Sequence, residues 1–406
     1  MFENVSTLSK HPYVVLPAEI EQDGPVGLKA YQEVAARTDK YESKGLELPI
    51  LGLFGEVGSL LSVLKKRQRD QTSTDNYRLA VIEEVGDVLW YFATIATRAG
   101  LVLPVLAQRM HRDIDDWDIV DEHFGCFGDL QTKKGEISDK EFSNRVLLLA
   151  GCVGDLLNDF RANAFQNNRD KLSAHLVDIF RALVAATHAA EIDLDVAARE
   201  NLLKIFSRWP IEPKYPPRID VALRRNERLP PKLEFYIAEE ETGSRSYVIQ
   251  KCNQIIIGDR LTDNKLESDD YRFHDVFHIS FAVHLGWSPV LRALLHLKRK
   301  SDESIDENQD GARAILIEEG VATFIFGRGL SLGLFADQDK LDYDLLKMVQ
   351  EFVRGYEPER CGLWQWERAI LDGFKVFREL KTSRSGYVIA DFENHTLSFR
   401  PGREDE

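Results

Sequence analysis

Two stretches of the chain decide its fold: LGLFGEVGSLLSVLKK (51–66) and VIEEVGDVLWYFATIATRAG (81–100). In both, apolar residues recur at intervals of three and four and proline is absent, which is the period of an α-helix. The second carries its charges at the front and a long apolar body behind them, the pattern of a helix buried on most sides. Glu56 stands three residues before Ser59, and Glu84 three before Asp87, so each pair shares a helical face. Packed antiparallel, the two helices bring Glu56, Glu84 and Asp87 to one point, with the Ser59 hydroxyl beside them. Three carboxylates in an apolar bundle repel one another unless a cation neutralises them. Mg²⁺ is the natural candidate, since it takes oxygen ligands, keeps waters and bridges to phosphates; Mn²⁺ is the alternative. Lys65, Lys66 and Arg67 close the first helix, where they could meet phosphate oxygens. The competing reading is a solvated acidic face, with Glu83 and Glu84 near a helix start to suit its dipole.

The same text recurs further on. GEVGSLL (55–61) and GCVGDLL (151–157) lie 96 positions apart, and VGDVLWYFATIATRAGLVL (85–103) and LVDIFRALVAATHAAEIDL (176–194) lie 91 apart. Each copy reads as a helix, a polar connector, a long apolar helix and a third helix ending near a tryptophan, Trp117 or Trp209. A unit this small buries its faces poorly alone, so two copies predict a fused pseudo-dimer. The second copy has Cys152, Asp155, His175 and Asp178 at the equivalent places, so two of the acids are gone.

The rest of the chain sets boundaries. Its 406 residues predict two to three domains. The net charge of −15 argues against bulk binding to nucleic acid or anionic membranes. The four cysteines form no CxxC pair, which argues against a zinc ribbon and a disulfide framework. The N-terminus lacks a basic start and apolar core, and no continuous apolar run reaches about 18 residues, so a cytoplasmic protein without a membrane span is expected. Residues 1–24 read as an extended leader, 25–125 as the first helical unit and 126–210 as the second. The segment WPIEPKYPPRIDVALRRNERLPPK (209–232) holds six of the fourteen prolines. Proline stops helices, and a linker is expected over 211–232.

Beyond it, residues 233–406 read as α+β. FYIAEE (235–240) and YVIQKCNQIIIG (247–258) are β-like, and GYVIADFENHTLSF (386–399) reads as a hairpin about Glu393 and Asn394. YRFHDVFHISFAVHLGW (271–287) sets His274 and His278 four apart on one helical face, the spacing of a paired-His metal site. Glu318 and Glu319 lie inside the apolar helix ARAILIEEGVATFIF (312–326) and need a partner. His274, His278 and Glu318 are therefore candidates for a second site taking a transition metal such as Zn²⁺, Mn²⁺ or Fe²⁺. The competing reading, which such pairs more often fit, is capping or hydrogen bonding inside a core.

The strings at 51–66 and 83–100 resemble the MazG-type all-α nucleoside triphosphate pyrophosphohydrolases, whose pattern is ExxE, a gap, then ExxD. The resemblance covers about 40–120, and the C-terminal half resembles extensions of larger MazG-type proteins. It implies a mainly α fold of tandem MazG-like units in a pseudo-dimeric bundle, followed by the α+β domain. It also implies Mg²⁺-dependent cleavage of an NTP or dNTP to NMP and pyrophosphate. Carried across, Glu56, Glu84 and Asp87 would be metal ligands, while Ser59 departs from the pattern by replacing its second Glu. ENLLKIFSRWP (200–210) resembles the family's terminal Asn-x-x-Lys segment, so Asn201, Lys204 and Arg208 would be lent to the site by the second copy. Glu83 or Glu84 would take a proton from the attacking water. Trp90 and Phe54 read as packing in the bundle wall. A homodimer of the whole chain stays open, as do two other functions: a nucleotide sensor without turnover, supported by Ser59, Cys152 and His175, and a metal-dependent hydrolase centred on the HxxxH helix.

Overall fold

The computed structural model describes residues 14–21, 24–40, 45–70, 74–111, 125–131, 139–165, 168–243 and 245–404. They form two compact units, Val15–Trp209 and Pro210–Glu406. Trp117, and with it the end of the first copy's third helix, lies outside the described residues, as do 1–13 and 22–23 of the leader.

The first unit is helical. Its elements are α1 (Leu28–Arg37), α2 (Glu47–Asp70), α3 (Thr74–Arg98), α4 (Leu103–His111), α5 (Asp139–Arg161), α6 (Arg169–Ala189) and α7 (Leu194–Arg208). On α2 the buried stripe runs through Leu53, Val57, Leu60 and Leu64, the spacing of one helical face. Phe54 falls off this stripe and is 47% exposed, so it is not the wall residue expected. Trp90 is half-buried and its Nε1 donates to Thr38 Oγ1 at 2.9 Å.

The repeat is real and closed on itself. α2 packs on α3 and α5 on α6, and α2 meets α5 across the middle. The third helices are exchanged: α7 packs on α3, and α4 packs on α6. Where the halves meet, Gly27 and Cys126 form a β-bridge, with Leu28 N donating to Gly125 O and Phe127 N to Val26 O. The two hydrogen bonds interchange under a shift of 99 residues, which places the bridge on a pseudo-two-fold axis. The same shift relates Gln32 to Gln131. Gln32 accepts from Leu103 N and donates to Leu101 O, both at 2.8 Å. Gln131 accepts from Leu194 N at 3.0 Å and donates to Ile192 O at 2.8 Å. Each glutamine thus clamps the start of its own copy's third helix.

By length and composition alone, α2 is long and apolar enough to cross a membrane, although its apolar residues are interrupted by charged and polar ones. Its apolar residues are spaced to pack against α3 and α5.

The second unit is α+β. Strands β1 (Lys232–Thr242), β2 (Arg245–Cys252), β3 (Ile255–Ile256), β4 (Ser385–Asp391) and β5 (Thr396–Pro401) form an antiparallel sheet in the order β3-β2-β1-β4-β5. The expected hairpin is present as β4–β5, turning at 392–395. Between β3 and β4 come α8 (Asp275–Leu285), α9 (Pro289–Leu294), α10 (Glu303–Asn308), α11 (Ala312–Ser331), α12 (Tyr343–Phe352) and α13 (Leu363–Ser383). Every residue of α8 is buried, so this helix is the axis of the unit. α13 packs along it and against the sheet.

The proline-rich stretch 211–232 is part of this unit rather than a tether. Asp220, 2% exposed, accepts from Leu229 N at 2.8 Å and pairs with buried Arg292 at 2.9 Å. Glu227 accepts from Ser301 N at 2.8 Å. Proline blocks helix propagation but not burial, and the Arg292 charge needs a partner inside.

The clamps make a paired expectation. Gln32→Ala and Gln131→Ala each leave a buried backbone N–H and C=O unpaired, and each should lower stability by about 1–3 kcal/mol in chemical denaturation. Similar losses in the two variants express the pseudo-symmetry.

Candidate functional site

Carboxylate oxygens of Glu56, Glu84 and Asp87 lie within 4.8 Å of one another. α2 supplies the first and α3 the other two, each half-buried. α3 begins at Thr74, so Glu83 and Glu84 sit in its third turn. That is beyond the reach of the helix dipole, and the capping explanation for them falls. Burial and crowding both disfavour the ionised forms. Glu84 is pushed up to about 7, by burial first and then by the charges of Asp87, Glu56 and Glu83. Glu56 is raised by burial, then by Asp87. Asp87 is raised by burial, against the opposing pull of Lys204 and Asn201.

Those two residues arrive from the other copy on α7. Asn201 Nδ2 donates to Asp87 Oδ1 at 2.9 Å, and the Lys204 ammonium pairs with both Asp87 oxygens. Lys204 Nζ also lies 3.9 Å from Glu83. Behind Asn201, fully buried Tyr31 donates its hydroxyl to Asn201 Oδ1 at 3.1 Å. The approach depends on Gly86. A Cβ there would lie 2.8 Å from both Ala197 O and Asn201 Cβ, so any larger residue would force α3 and α7 apart.

The other candidates fall elsewhere. Ser59 is half-buried one turn beyond Glu56. Lys65 and Lys66 are exposed, about 13–15 Å further along α2 at its helical rise, and Lys65 is turned to the opposite face. The structure does not bring them to the carboxylates. Arg208 lies one turn past Lys204, with its guanidinium 4.7 Å from the Trp209 ring. In the second copy, Asp178 pairs with Arg181 at 2.7 Å and His175 with Asp159 at 2.7 Å. Sequence reasoning missed Tyr31 and also Tyr91, whose hydroxyl is raised by burial and by the charges of Glu56 and Asp87. A tyrosine next to an ExxD pair carries no spacing signal of its own.

In the second unit, ligand atoms of His274, Asp275 and His278 also lie within 4.8 Å of one another. Glu318 is not on their open side. It is 0% exposed and accepts from His278 Nδ1 at 2.8 Å, Ser288 Oγ at 2.6 Å and Val290 N at 2.8 Å. Its neighbour Glu319 instead faces both imidazole Nε2 atoms, 3.6 Å from His274 and 3.5 Å from His278. On a helix, successive residues point about 100° apart, so only one member of the pair can face the histidines' outer nitrogens.

Among the described residues the architecture is a tandem-repeat helical bundle with a three-carboxylate cluster, followed by an α+β domain built about a fully buried helix that carries Asp275, His278 and His284. Residues 214–403 match the MazG C-terminal domain. The Gene 37 protein of Mycobacterium phage L5 is 35% identical over 68 residues, which is 16% of this chain and 60% of the phage protein. No solved structure matches.

The raised carboxyl of Glu84 has a signed consequence. In the metal-free protein the unfolded chain loses this proton near the ordinary glutamate value, about 4.3, while the folded chain keeps it until about 7. Ionisation therefore costs folded-state stability as pH rises through that window. In EDTA, Glu84→Gln should melt higher than wild type, by a margin that is absent below pH 4 and grows up to pH 7. Scanning calorimetry of both proteins across pH 4–8 checks this.

Proposed function

We propose that the chain is a Mg²⁺-dependent nucleotide pyrophosphohydrolase that cleaves an NTP or dNTP to NMP and pyrophosphate. The observation that carries this reading is the convergence of Glu56, Glu84 and Asp87, met by Lys204 and Asn201 from the opposite copy. The donor set fits the metal: three crowded oxygen ligands, each raised by burial and repulsion, have a deficit of positive charge, and hard cations take such ligands. Mn²⁺ fits the same ligands. Bound there, the metal supplies charge neutralisation on phosphate oxygens and a more acidic water.

The chain's own residues do the rest. Glu56 and Asp87 hold the ligand set, and Asn201, fixed by Tyr31, orients Asp87. Lys204 is placed to exchange its carboxylate partner for a phosphate oxygen when substrate enters. Glu84 completes that ligand set, and its neighbour Glu83, 3.9 Å from Lys204 Nζ, is the carboxylate left to accept the proton of an attacking water. A nucleotide-binding role without turnover is favoured by a different observation: Lys204 already neutralises Asp87, one of the ligands, and Ser59 removes another acid.

The purified chain is incubated with Mg²⁺ or Mn²⁺ and each common NTP and dNTP, and products are resolved by ion exchange. NMP and pyrophosphate are expected, and Glu56→Gln should reduce kcat/KM at least about 100-fold, as for loss of an electrostatic group in other active sites. No product from any nucleotide contradicts the hydrolase. Metal-dependent nucleotide binding that persists in that case and is lost in Glu56→Gln establishes the sensor.

A further inference from the structure

We propose that the second unit holds a site for a divalent transition metal, formed by His274 Nε2, His278 Nε2 and the carboxylates of Glu319 and Asp275. The site is independent of the acidic cluster on α2 and α3. Its geometry starts with the histidine tautomers. His274 Nδ1 lies 2.9 Å from Tyr271 O, and a carbonyl only accepts, so the proton sits on Nδ1. His278 Nδ1 lies 2.8 Å from Glu318 Oε1. That carboxylate also accepts from Ser288 Oγ and Val290 N, which fixes it behind the His278 ring. Both rings therefore turn Nε2 toward the same carboxylate, Glu319, where a metal would displace any Nε2 proton. A carboxylate or carbonyl behind each ligating imidazole is the usual support of a metal-bound histidine.

The pair is not explained as a hydrogen-bonded core. His278 Nε2 is buried, and it meets the Glu319 carboxylate only at 3.5 Å. The separations facing it are 3.5 Å (His278 Nε2 to Glu319), 3.6 Å (His274 Nε2 to Glu319) and 3.3 Å (His274 Nε2 to Asp275). All exceed the ordinary hydrogen-bond range of about 2.7–3.2 Å. They approach the edge of a tetrahedron whose donors lie 2.0–2.1 Å from a central ion, about 3.3–3.4 Å. Two imidazoles with carboxylates select Zn²⁺, Fe²⁺ or Mn²⁺ over Mg²⁺. The order of residues, His-Asp-x-x-His on one helix with an acid from another, is also that of metal-binding helix pairs. Glu319, 38% exposed, gives the ion a way in, while His274, Asp275 and His278 are buried.

The full chain is stripped with chelator, and Zn²⁺ is titrated with elemental analysis after dialysis; Co²⁺ serves as a visible-absorbance probe of the same site. About one tightly held Zn²⁺ per chain is expected, resistant to excess Mg²⁺, with Co²⁺ bands of nitrogen and oxygen coordination. Glu319→Gln should abolish stoichiometric retention and the bands. Glu318→Gln, which removes only the support of His278, should weaken binding about 10–100-fold. Glu56→Gln should leave Zn²⁺ retention unchanged, which separates this site from the proposed pyrophosphohydrolase centre. Glu319 is partly exposed, so circular dichroism of its variant should match wild type. No tight Zn²⁺ in wild type, retention that survives Glu319→Gln, or loss in Glu56→Gln would overturn the proposal.

Discussion

Asp87 stands beside Glu56 and Glu84 in a half-buried helical groove, where burial disfavours its ionised form and positive charge offsets that cost. The chain brings that charge from the other repeat, as Lys204 on α7. The pairing requires α7 to lie against α3, and that in turn requires Gly86, where a Cβ would lie 2.8 Å from Ala197 O of α7. Helix exchange between the copies, the bridge at Gly27 and Cys126, and the Gln131 clamp all serve to hold α7 in this place. The electrostatics of one carboxylate thus depend on the topology of the whole bundle.

The pseudo-two-fold axis makes the loss of symmetry informative. At the second copy's equivalent place, Asp178 is paired with Arg181 from its own helix, and His175 is turned to Asp159. Cys152 stands where Glu56 stands in the first copy. The second half has therefore replaced mutual repulsion by internal pairing, and has little need of an outside cation. Its α7 retains Asn201 and Lys204 and directs them across the axis. One copy keeps the acids, and the other supplies their hydrogen-bond donor and cation.

Much of this was legible in the residues. The three-and-four spacing at 51–66 and 81–100 gave the helices, the recurrence 91–96 positions on gave the pseudo-dimer, and the ExxD pair gave the faces. Glu318 was misassigned because spacing places two adjacent acids on one helix without saying which faces the histidines; only the rotation of α11 decides for Glu319. The proline-rich segment misled because proline reports on backbone hydrogen bonding, and says nothing of the buried Arg292 that draws Asp220 inward. Lys65 and Lys66 were read from proximity in sequence, and the helical rise carries them away from Glu56. Gln32, Gln131 and Tyr31 act through contacts distant in sequence, which no local pattern encodes.

The central claim is that the two copies build one cation-dependent site between them. Its most direct test is anomalous diffraction from crystals of the full chain soaked with Mn²⁺ and a non-hydrolysable nucleoside triphosphate. The account predicts a manganese peak among the carboxylates of Glu56, Glu84 and Asp87, with Lys204 Nζ moved from Asp87 onto a phosphate oxygen. No manganese at that point, with Lys204 still paired to Asp87, would contradict it.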